Sequence, residues 1–425
     1  MTRRAIILVE GDPTGNILPY AQAARRLGLH PIILSSEPAQ YDWRVAESIE
    51  AIRVDTNDLD ALTRECSRLR STYEVAGITC AKEWVCAAVA KLCKHFDLPG
   101  PSPASIERCC DKFTQRRLLA EAGVPVPAYR LATNATDVEH SAAEIGLPVI
   151  LKPAVGNGSS GVRLCRNVDD LIEHTAYLLG GKHIWRSSPK VLVEEFANGP
   201  YYGAYMMGDE LIGICAAEFD PPPHFVFREW TFPASLTEEQ HERIADLSRS
   251  CLRALGLGWG PAGVEVRWTK RGPVVIEVNP RLAGAPDPQM VQLACGVDLV
   301  TEHIKLVLGD RRNRRRRHSQ TVVARYLVPD RDGILDRIDG ESQAAAVPGV
   351  VEVKLCIEPK TPIARKGDYR DCIGYIVAAS PDLAETKMIA QRGVDLISWS
   401  ITPFATRGSG SGSGETGNKA ARPGR

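Results

Sequence analysis

The first hundred residues alternate short apolar runs with amphipathic segments. The apolar runs "AIILVE", "PIILSS", "EAIRVD" and "VAGIT" predict strands. Between them, helical spacing predicts helices at "ILPYAQAARRLG", over Leu59–Arg70 and over Trp84–Phe96, with a turn at "GDPTGN". Strands that alternate with helices in this way are typical of a parallel α/β layer.

The pattern changes after the Pro-rich stretch "LPGPSPAS" (98–105), which we interpret as a domain boundary. Downstream, the chain mixes long helical segments with hairpins, and its last segment, 320–405, has the order strand, helix, strand, strand, helix, strand. We predict a hairpin over 262–279 and helices over 107–123, near 168–180, over 237–255 and near 287–308.

Composition narrows the class of protein. Lys and Arg together number 52, as do Asp and Glu, so the chain lacks the basic excess of a nucleic-acid-binding protein. No apolar run reaches the about 18 residues of a membrane span. The apolar run near the start ends at Glu10 and Asp12, and is shorter than the roughly 7–15 residues of a secretory signal core. We expect a cytoplasmic protein that binds neither nucleic acid nor membrane.

Three other features of the sequence are its cysteines, one basic run and its last twenty residues. The 12 cysteines show no C-x-x-C spacing, so we interpret them as free thiols rather than as a zinc site. The basic run "RRNRRRRH" (311–318) is interpreted as a solvated connection, with a polyanion site as the alternative. Residues 406–425 are rich in Gly and Ser and are predicted to be a flexible tail.

The stretch "VILKPAVGNGSSGV" (149–162) has the spacing G-x-G-x-x-G at Gly156, Gly158 and Gly161. A Rossmann turn needs a helix directly after the glycines, but "VRLCRN" follows and has strand character. A Walker A loop needs Gly-Lys-Ser/Thr, and Val162 breaks that pattern. The remaining interpretation is a flap at a hairpin tip, whose backbone N–H groups cover phosphate oxygens while Lys152 contributes a point charge.

A second hairpin is predicted in "GPAGVEVRWTKRGPVVIEVNPRLAGAP" (260–286), with Gly272 at a turn position that needs positive φ. This register sets Glu265 opposite Glu277, where two carboxylates repel. A divalent cation removes the repulsion, since Mg²⁺ prefers oxygen ligands. Asn279 and Arg281 follow Glu277 on the same face because side chains alternate along a strand.

An alternative is that both glutamates simply face solvent on an amphipathic hairpin. The opposite face is then the buried one, and we predict that it consists of Val264, Val266, Val274, Ile276 and Val278. A Glu–Asn–Arg series that ends in "PRLAGAP" favours the metal site.

Two further segments carry open alternatives. In "VLVEEFANGP" (191–200), the acids either cap an exposed strand or, through Glu194, accept a hydrogen bond from an adenine amine. In "EFDPPPHFVFREWTFPAS" (218–235), His224, Arg228 and Trp230 either contact a substrate or belong to an exposed Pro-rich loop with an aromatic anchor.

Together these motifs resemble the ATP-grasp superfamily of carboxylate–amine ligases, and the pattern is closest to the L-amino-acid ligase branch. The resemblance rests on "DKF" with Lys112, "LKP" with Lys152, the flap, "VEEFANG" and "GVEVRW…VVIEVNPRLAG", in the family's order. It implies an α/β fold with a Rossmann-like domain (1–105), a small lobe with the flap (106–190), a large lobe with the metal hairpin (191–319) and a C-terminal α+β lobe (320–405).

The resemblance also implies roles for single residues. Lys112 and Lys152 would hold the α- and β-phosphates of ATP, and Arg281 would steady the transferred phosphoryl group, with Lys152 also counted as catalytic. Tyr201 stands where family members usually carry a ribose-binding acid, which leaves ribose contact less defined. The other implied residues are the flap over the γ-phosphate (Gly156, Gly158, Ser159, Ser160, Gly161), the adenine site (Glu194, Glu195, Ala197) and the ligands of two Mg²⁺ ions, with Mn²⁺ as an alternative (Glu265, Glu277, Asn279).

The implied reaction activates a carboxylate as an acyl phosphate and then joins it to an amine, releasing ADP and phosphate. We expect small-molecule carboxylate and amine substrates, with amino acids of specialised metabolism foremost, and leave a homodimer open. The alternatives are a purine-pathway or carboxylase-type ATP-grasp enzyme and a nucleotide-binding regulator without catalysis.

Overall fold

The computed structural model describes residues 3–10, 17–41, 48–181, 190–310 and 320–404. The predicted turn "GDPTGN", the basic run 311–318 and the tail 406–425 lie outside the described residues. Across the described ranges, no helix has both the length and the apolar character that crossing a membrane requires.

The N-terminal segment forms the predicted parallel α/β layer. Asp58 caps the second helix by accepting hydrogen bonds from the N–H groups of Asp60 and Ala61. The sheet has the order β3-β2-β1-β4, and all its pairs are parallel. Its strands are β1 (Arg4–Glu10), β2 (His30–Ser35), β3 (Glu50–Arg53) and β4 (Glu74–Cys80), and its helices are α1 (Ile17–Arg26), α2 (Leu59–Arg70) and α3 (Glu83–His95).

A small lobe follows, with an antiparallel sheet of order β5-β8-β6-β7. Its strands are β5 (Tyr129–Ala132), β6 (Val149–Pro153), β7 (Arg163–Cys165) and β8 (Val191–Glu195). Its helices are α4 (Pro103–Cys110), α5 (Lys112–Glu121), α6 (Ala135–Ile145) and α7 (Val168–Leu179).

Two predicted helices are each divided in the structure. The helix predicted over 107–123 breaks at Asp111, whose side chain accepts a hydrogen bond from Thr114 N–H at 2.7 Å and so starts a new helix. This break places Lys112 at the first residue of α5. The helix predicted near 287–308 breaks at Gly296, whose left-handed φ of 74° ends the first part.

The large lobe is built on an eight-stranded sheet, in which the order β13-β12-β9-β10-β11 is followed by three strands of the C-terminal segment. Its first strands are β9 (Tyr201–Met207), β10 (Glu210–Phe219), β11 (Phe227–Phe232), β12 (Pro261–Thr269) and β13 (Gly272–Asn279). Its helices are α8 (Glu238–Leu255), α9 (Asp287–Cys295) and α10 (Leu299–Val307). Helix α5 is tied to this sheet because the Gln115 amide exchanges two hydrogen bonds with the backbone of Val278.

The C-terminal segment continues the same sheet, since β14 pairs with β11 in the register Thr231↔Val323. The predicted boundary at 319/320 stays a prediction, and the sheet runs across it. The predicted element order was wrong, because a strand follows β14 directly and a two-residue strand is added later. The elements are β14 (Thr321–Leu327), β15 (Gly333–Asp339), α11 (Glu341–Ala345), β16 (Val350–Leu355), β17 (Pro362–Ile363), β18 (Gly374–Ser380), α12 (Leu383–Leu396) and β19 (Ser398–Thr402).

The N-terminal layer and the large lobe share an apolar core. Val89 and Leu92 of α3 belong to the same buried cluster as Val264 of β12 and Val278 of β13. Apolar burial of this kind is the main stabilising contribution in a folded protein. It holds the first residue of α3, Glu83, close to the metal hairpin.

Candidate active site

A cleft of about 970 Å³, its open mouth included, lies between the small and large lobes. Most of the predicted phosphate, adenine and metal residues line the cleft: Lys112, Lys152, Gly156, Gly158, Ser159, Ser160, Glu194, Glu195, Ala197, Tyr201, Glu265, Glu277, Asn279 and Arg281. Gly161 closes the flap at its far end and is not part of the lining.

The glycine flap (residues 156–161) is the tip of a hairpin, because β6 and β7 pair antiparallel. The predicted hairpin tip is therefore confirmed. Gly156, Gly158 and Gly161 all have positive φ, as does Ser159 at 61°. Such a backbone lets N–H groups approach a ligand closely. His174 of α7 holds the far end, with its Nε2 at 2.8 Å from the carbonyl oxygen of Gly161.

Lys152 belongs to a buried group of three charges. The Glu194 carboxylate forms ion pairs with Lys152 through one oxygen and with Arg116 of α5 through the other. Burial would raise the pKa of Glu194, but Arg116 and Lys152 outweigh it and lower the pKa. Burial also lowers the pKa of Lys152, and Glu194 opposes that shift. Contact of Glu194 with adenine stays a prediction; in this structure its carboxylate positions Lys152.

Lys112 is the second lysine that lines the cleft. Its Nζ donates to Glu277 Oε1 at 2.8 Å and to the carbonyl oxygen of Gly156. Burial alone would lower the pKa of Lys112, but the charges of Glu277 and Glu83 raise it overall. The ammonium therefore stays protonated and links the flap to the metal hairpin, where a polyphosphate would meet it.

The facing carboxylates are placed as the sequence predicts, with Glu265 opposite Glu277 in the β12–β13 ladder. Burial, and then the charge of Glu277, raises the pKa of Glu265 to about 7. Asn279 Nδ2 donates to Glu265 Oε1 at 3.0 Å. Two close carboxylates and an amide oxygen are a donor set that suits Mg²⁺, and a divalent cation would relieve the repulsion that raises this pKa.

The apolar face of the metal hairpin differs from the prediction. A bulge after Glu265 pairs Val266 with Val275, and the alternation along β13 shifts by one residue. Ile276 therefore faces the cleft, Val275 takes its place in the core, and Val274 pairs with Arg267. The prediction was wrong at Val274 and Ile276, because no sequence pattern marked the bulge.

Arg281 meets a residue that the sequence interpretation missed. Its guanidinium lies 3.5 Å from the carboxylate of Glu83, and the Asn157 amide donates to the same carboxylate at 3.5 Å. Burial raises the pKa of Glu83, and Arg281 partly opposes it. Since Glu83 starts a helix of the N-terminal layer, only the packing of that layer against the large lobe reveals the contact.

The sequence interpretation also missed two arginines of the site, Arg116 and Arg267. Arg116 is completely buried, and its guanidinium also donates to the carbonyl oxygen of Ile276 at the bulge. Arg267 lines the cleft, donates to the carbonyl oxygen of Gly199 at 2.8 Å and lies over the ring of Tyr201 at 5.5 Å. Arg267 could have been found, because it lies two residues from Glu265 on one strand and therefore on the same face.

The three substrate candidates do not line this cleft. His224 packs against Gly367, and a Cβ at that glycine would collide with its ring. Arg228 forms a bidentate ion pair with Asp220. Trp230 is buried, and its Nε1 donates to the Tyr205 hydroxyl at 2.8 Å. Aromatic residues of the same segment line the cleft instead: Phe219, Phe225 and Phe227.

Comparison with known proteins shows which protein families the chain resembles. Family models match it as an ATP-grasp N-terminal domain (21–100), an ATP-grasp domain (145–288) and an L-amino acid ligase C-terminal domain 2 (325–402). The uncharacterized protein y4rH of Sinorhizobium fredii is 60% identical over 403 residues, covering 95% of this chain and 84% of that protein.

Two more distant similarities agree with the matches to the family models. Human carnosine synthase 1 is 25% identical over 399 residues, which span 86% of this chain but only 47% of that protein. The crystal structure of an L-amino acid ligase from Bacillus licheniformis matches with a TM-score of 0.81 at 18% identity, covering 95% of this chain and all of that one. At this identity, the match shows a shared fold.

Fold and cleft together define a nucleotide-dependent enzyme in which lysines, a glycine flap and paired carboxylates surround one site. The chain belongs to the ATP-grasp superfamily of carboxylate–amine ligases. The predicted fold class and enzyme class are confirmed. The roles of the single residues stay predictions.

Proposed function

We propose that the chain is an ATP-dependent ligase that activates an amino-acid carboxylate as an acyl phosphate and joins it to an amine. The observation that carries the proposal is one cleft lined by two buried lysines, a pair of facing glutamates and an arginine: Lys112, Lys152, Glu265, Glu277 and Arg281. Phosphoryl transfer needs positioning and charge neutralisation more than covalent chemistry from the protein.

ATP is proposed to enter with its base toward the hinge after β8. Apolar side chains of Ile150, Phe196, Ala197 and Ile276 line that end of the cleft, and a base with two π-faces fits between apolar walls. The phosphates would then lie under the glycine flap. There, buried ammonium groups interact more strongly with phosphate than they would in water.

Glu265, Glu277 and Asn279 would hold magnesium, and two ions are proposed. When bound, magnesium neutralises charge on the phosphate oxygens. Lys112 would then exchange its contact with Glu277 for a phosphate oxygen, since its ammonium already bridges the hairpin and the flap.

The reaction proceeds in two transfers. A carboxylate oxygen of the first substrate attacks the γ-phosphorus, and the bond from that phosphorus to ADP breaks. The amine nitrogen of the second substrate then attacks the acyl carbon, phosphate leaves, and the nitrogen gives up a proton. Arg281 would stabilise negative charge on the transferred group, and Glu83 would hold Arg281 in place through their contact at 3.5 Å.

Amino-acid substrates are supported by the L-amino acid ligase C-terminal domain model over 325–402 and by the similarity to carnosine synthase 1. A purine-pathway or carboxylase-type reaction is the second candidate, and a panel of substrates separates the two.

The test measures phosphate release from ATP and Mg²⁺ with amino acids singly and in pairs, alongside mass spectrometry. We expect release that requires two partners and a product mass equal to their sum minus water. Glu277→Gln should abolish release, while Glu239→Gln, at an exposed position of α8, should leave it unchanged. Phosphate release with bicarbonate as the only carboxylate would favour the carboxylase-type alternative and contradict the proposal.

A further inference from the structure

A loop of the C-terminal segment covers the glycine flap. This cap loop is the sequence "KGDYRD" (366–371). The backbone N–H of Tyr369 donates to the carbonyl oxygen of Gly158 at 3.2 Å. A Cβ at Gly158 would collide with the Tyr369 ring, so the ring lies directly against the flap backbone, where φ is positive.

The cap loop is held in shape by its own charged groups. The Asp371 carboxylate accepts hydrogen bonds from the N–H groups of Lys366 at 2.6 Å and Gly367 at 2.7 Å. Asp368 is fully buried and forms a bidentate pair with Arg370. Such charge-assisted bonds are stronger than neutral ones, so the loop presents Tyr369 on a pre-ordered support.

A second connection reaches the other end of the flap. Arg370 is hydrogen-bonded to the Tyr177 side chain of α7. Tyr177 stacks on His174, with ring centroids 5.4 Å apart and an interplanar angle of 18°. His174 in turn contacts the carbonyl oxygen of Gly161 at 2.8 Å. The cap loop therefore contacts the flap directly at Gly158 and indirectly at Gly161.

The residue types of the flap restrict its backbone little, so its position depends on contacts from other segments, among them Lys112, His174 and the cap loop. Three of its six residues are glycines, which lose the most conformational entropy on ordering. An external surface that orders the flap before the ligand arrives reduces this cost at the moment of binding.

We propose that Tyr369 is a positioning residue for the flap, so that the C-terminal segment takes part in nucleotide binding. This rests on the proposed function in that the flap covers phosphates. Tyr369 touches no reacting atom; it sets the position of the backbone groups that do.

The test compares Tyr369→Ala with Tyr369→Phe, which keeps the ring against Gly158. Met388→Ala, at an exposed position of α12, is the matched control in the same segment. Hydrogen exchange of residues 156–161 is measured without ligand, together with the dissociation constant of a non-hydrolysable ATP analogue. We expect flap exchange about tenfold faster in Tyr369→Ala, and binding about tenfold weaker, equivalent to about 1.4 kcal/mol.

Tyr369→Phe and Met388→Ala should match the wild type, and helix Leu59–Arg70 should exchange equally in all variants. Equal flap exchange in Tyr369→Ala and wild type would overturn the proposal, as would faster exchange with unchanged affinity. If Tyr369→Ala also loosens α12, the milder Tyr369→Leu replaces it, with the same expected directions. A wild-type protein that binds no ATP analogue would instead refute the proposed function, and the nucleotide role of Tyr369 with it.

Discussion

Glu194, Arg116 and Lys152 form a buried group of three charges, and replacing Glu194 tests whether these charges compensate one another. One carboxylate balances two cations, and the side chains of Arg116, Lys152 and Glu194 are 0%, 5% and 4% exposed. Glu194→Gln keeps the shape of the side chain but removes the negative charge that pairs with both cations. Breaking a buried pair costs about 3–5 kcal/mol, because the remaining charge is left uncompensated.

The loss in free energy of unfolding is limited because Lys152 can change its protonation state. Without Glu194, the largest charge that opposes burial is lost; the weaker effect of Glu277 and the opposite effect of Arg116 remain, so the pKa of Lys152 falls further and the ammonium can lose its proton in the folded variant. The unfolded chain then binds more protons than the folded one between the lowered pKa and the ordinary lysine value. The variant's free energy of unfolding should therefore rise with pH across that window.

The assay is urea-induced unfolding at several pH values, followed by circular dichroism. The matched control is Glu121→Gln, which removes the partner of Arg117 in an exposed pair of α5. An exposed pair contributes about 0.2–1 kcal/mol, so the control should lose little. If Glu194→Gln loses no more than Glu121→Gln, the account of a buried charge group is refuted.

Three other predictions concern the cleft and the flap. Lys152→Ala should raise the dissociation constant of an ATP analogue about tenfold or more, measured by calorimetry, because a buried cation facing phosphate is lost; unchanged affinity would exclude phosphate contact. Arg267→Met should keep the packing of the side chain on Tyr201 but weaken nucleotide binding by about twofold to tenfold, and it should make the dissociation constant depend less on salt between about 50 and 300 mM. A salt dependence equal to that of the wild type would show that Arg267 does not face the nucleotide's charge. Burial lowers the pKa of His174 to about 4, so its contribution to stability is present above about pH 6.5 and is lost as pH falls towards 4, by about 3 kcal/mol. His174→Gln should flatten that part of the stability–pH curve, and an identical curve would contradict the buried neutral imidazole.

The local periodicities of the sequence were sufficient for several elements. Leu59–Arg70 is a helix with the predicted bounds, because Asp58 caps it and its apolar positions recur at helical spacing. Glu265 and Glu277 face each other as predicted, since a short loop fixes the register of a hairpin. The failure at Ile276 arises because a bulge adds one residue to a strand without leaving a mark in the alternation.

The site also depends on contacts between distant segments. Arg116 is 78 residues from Glu194 along the chain, and both have ordinary local surroundings for a helix and a strand. Glu83 meets Arg281 only because the N-terminal layer and the large lobe share a core. A single sequence gives no distances between such segments, so neither pairing could be predicted.

By itself, the sequence determined the parallel N-terminal layer, the flap at a hairpin tip and the facing glutamates, because each follows from spacing within one segment. The tertiary structure decided which charges compensate one another, which face of β13 lines the cleft, and that the C-terminal cap loop lies on the flap. Those features depend on long-range packing, in which desolvation and charge pairing between separate segments select one arrangement.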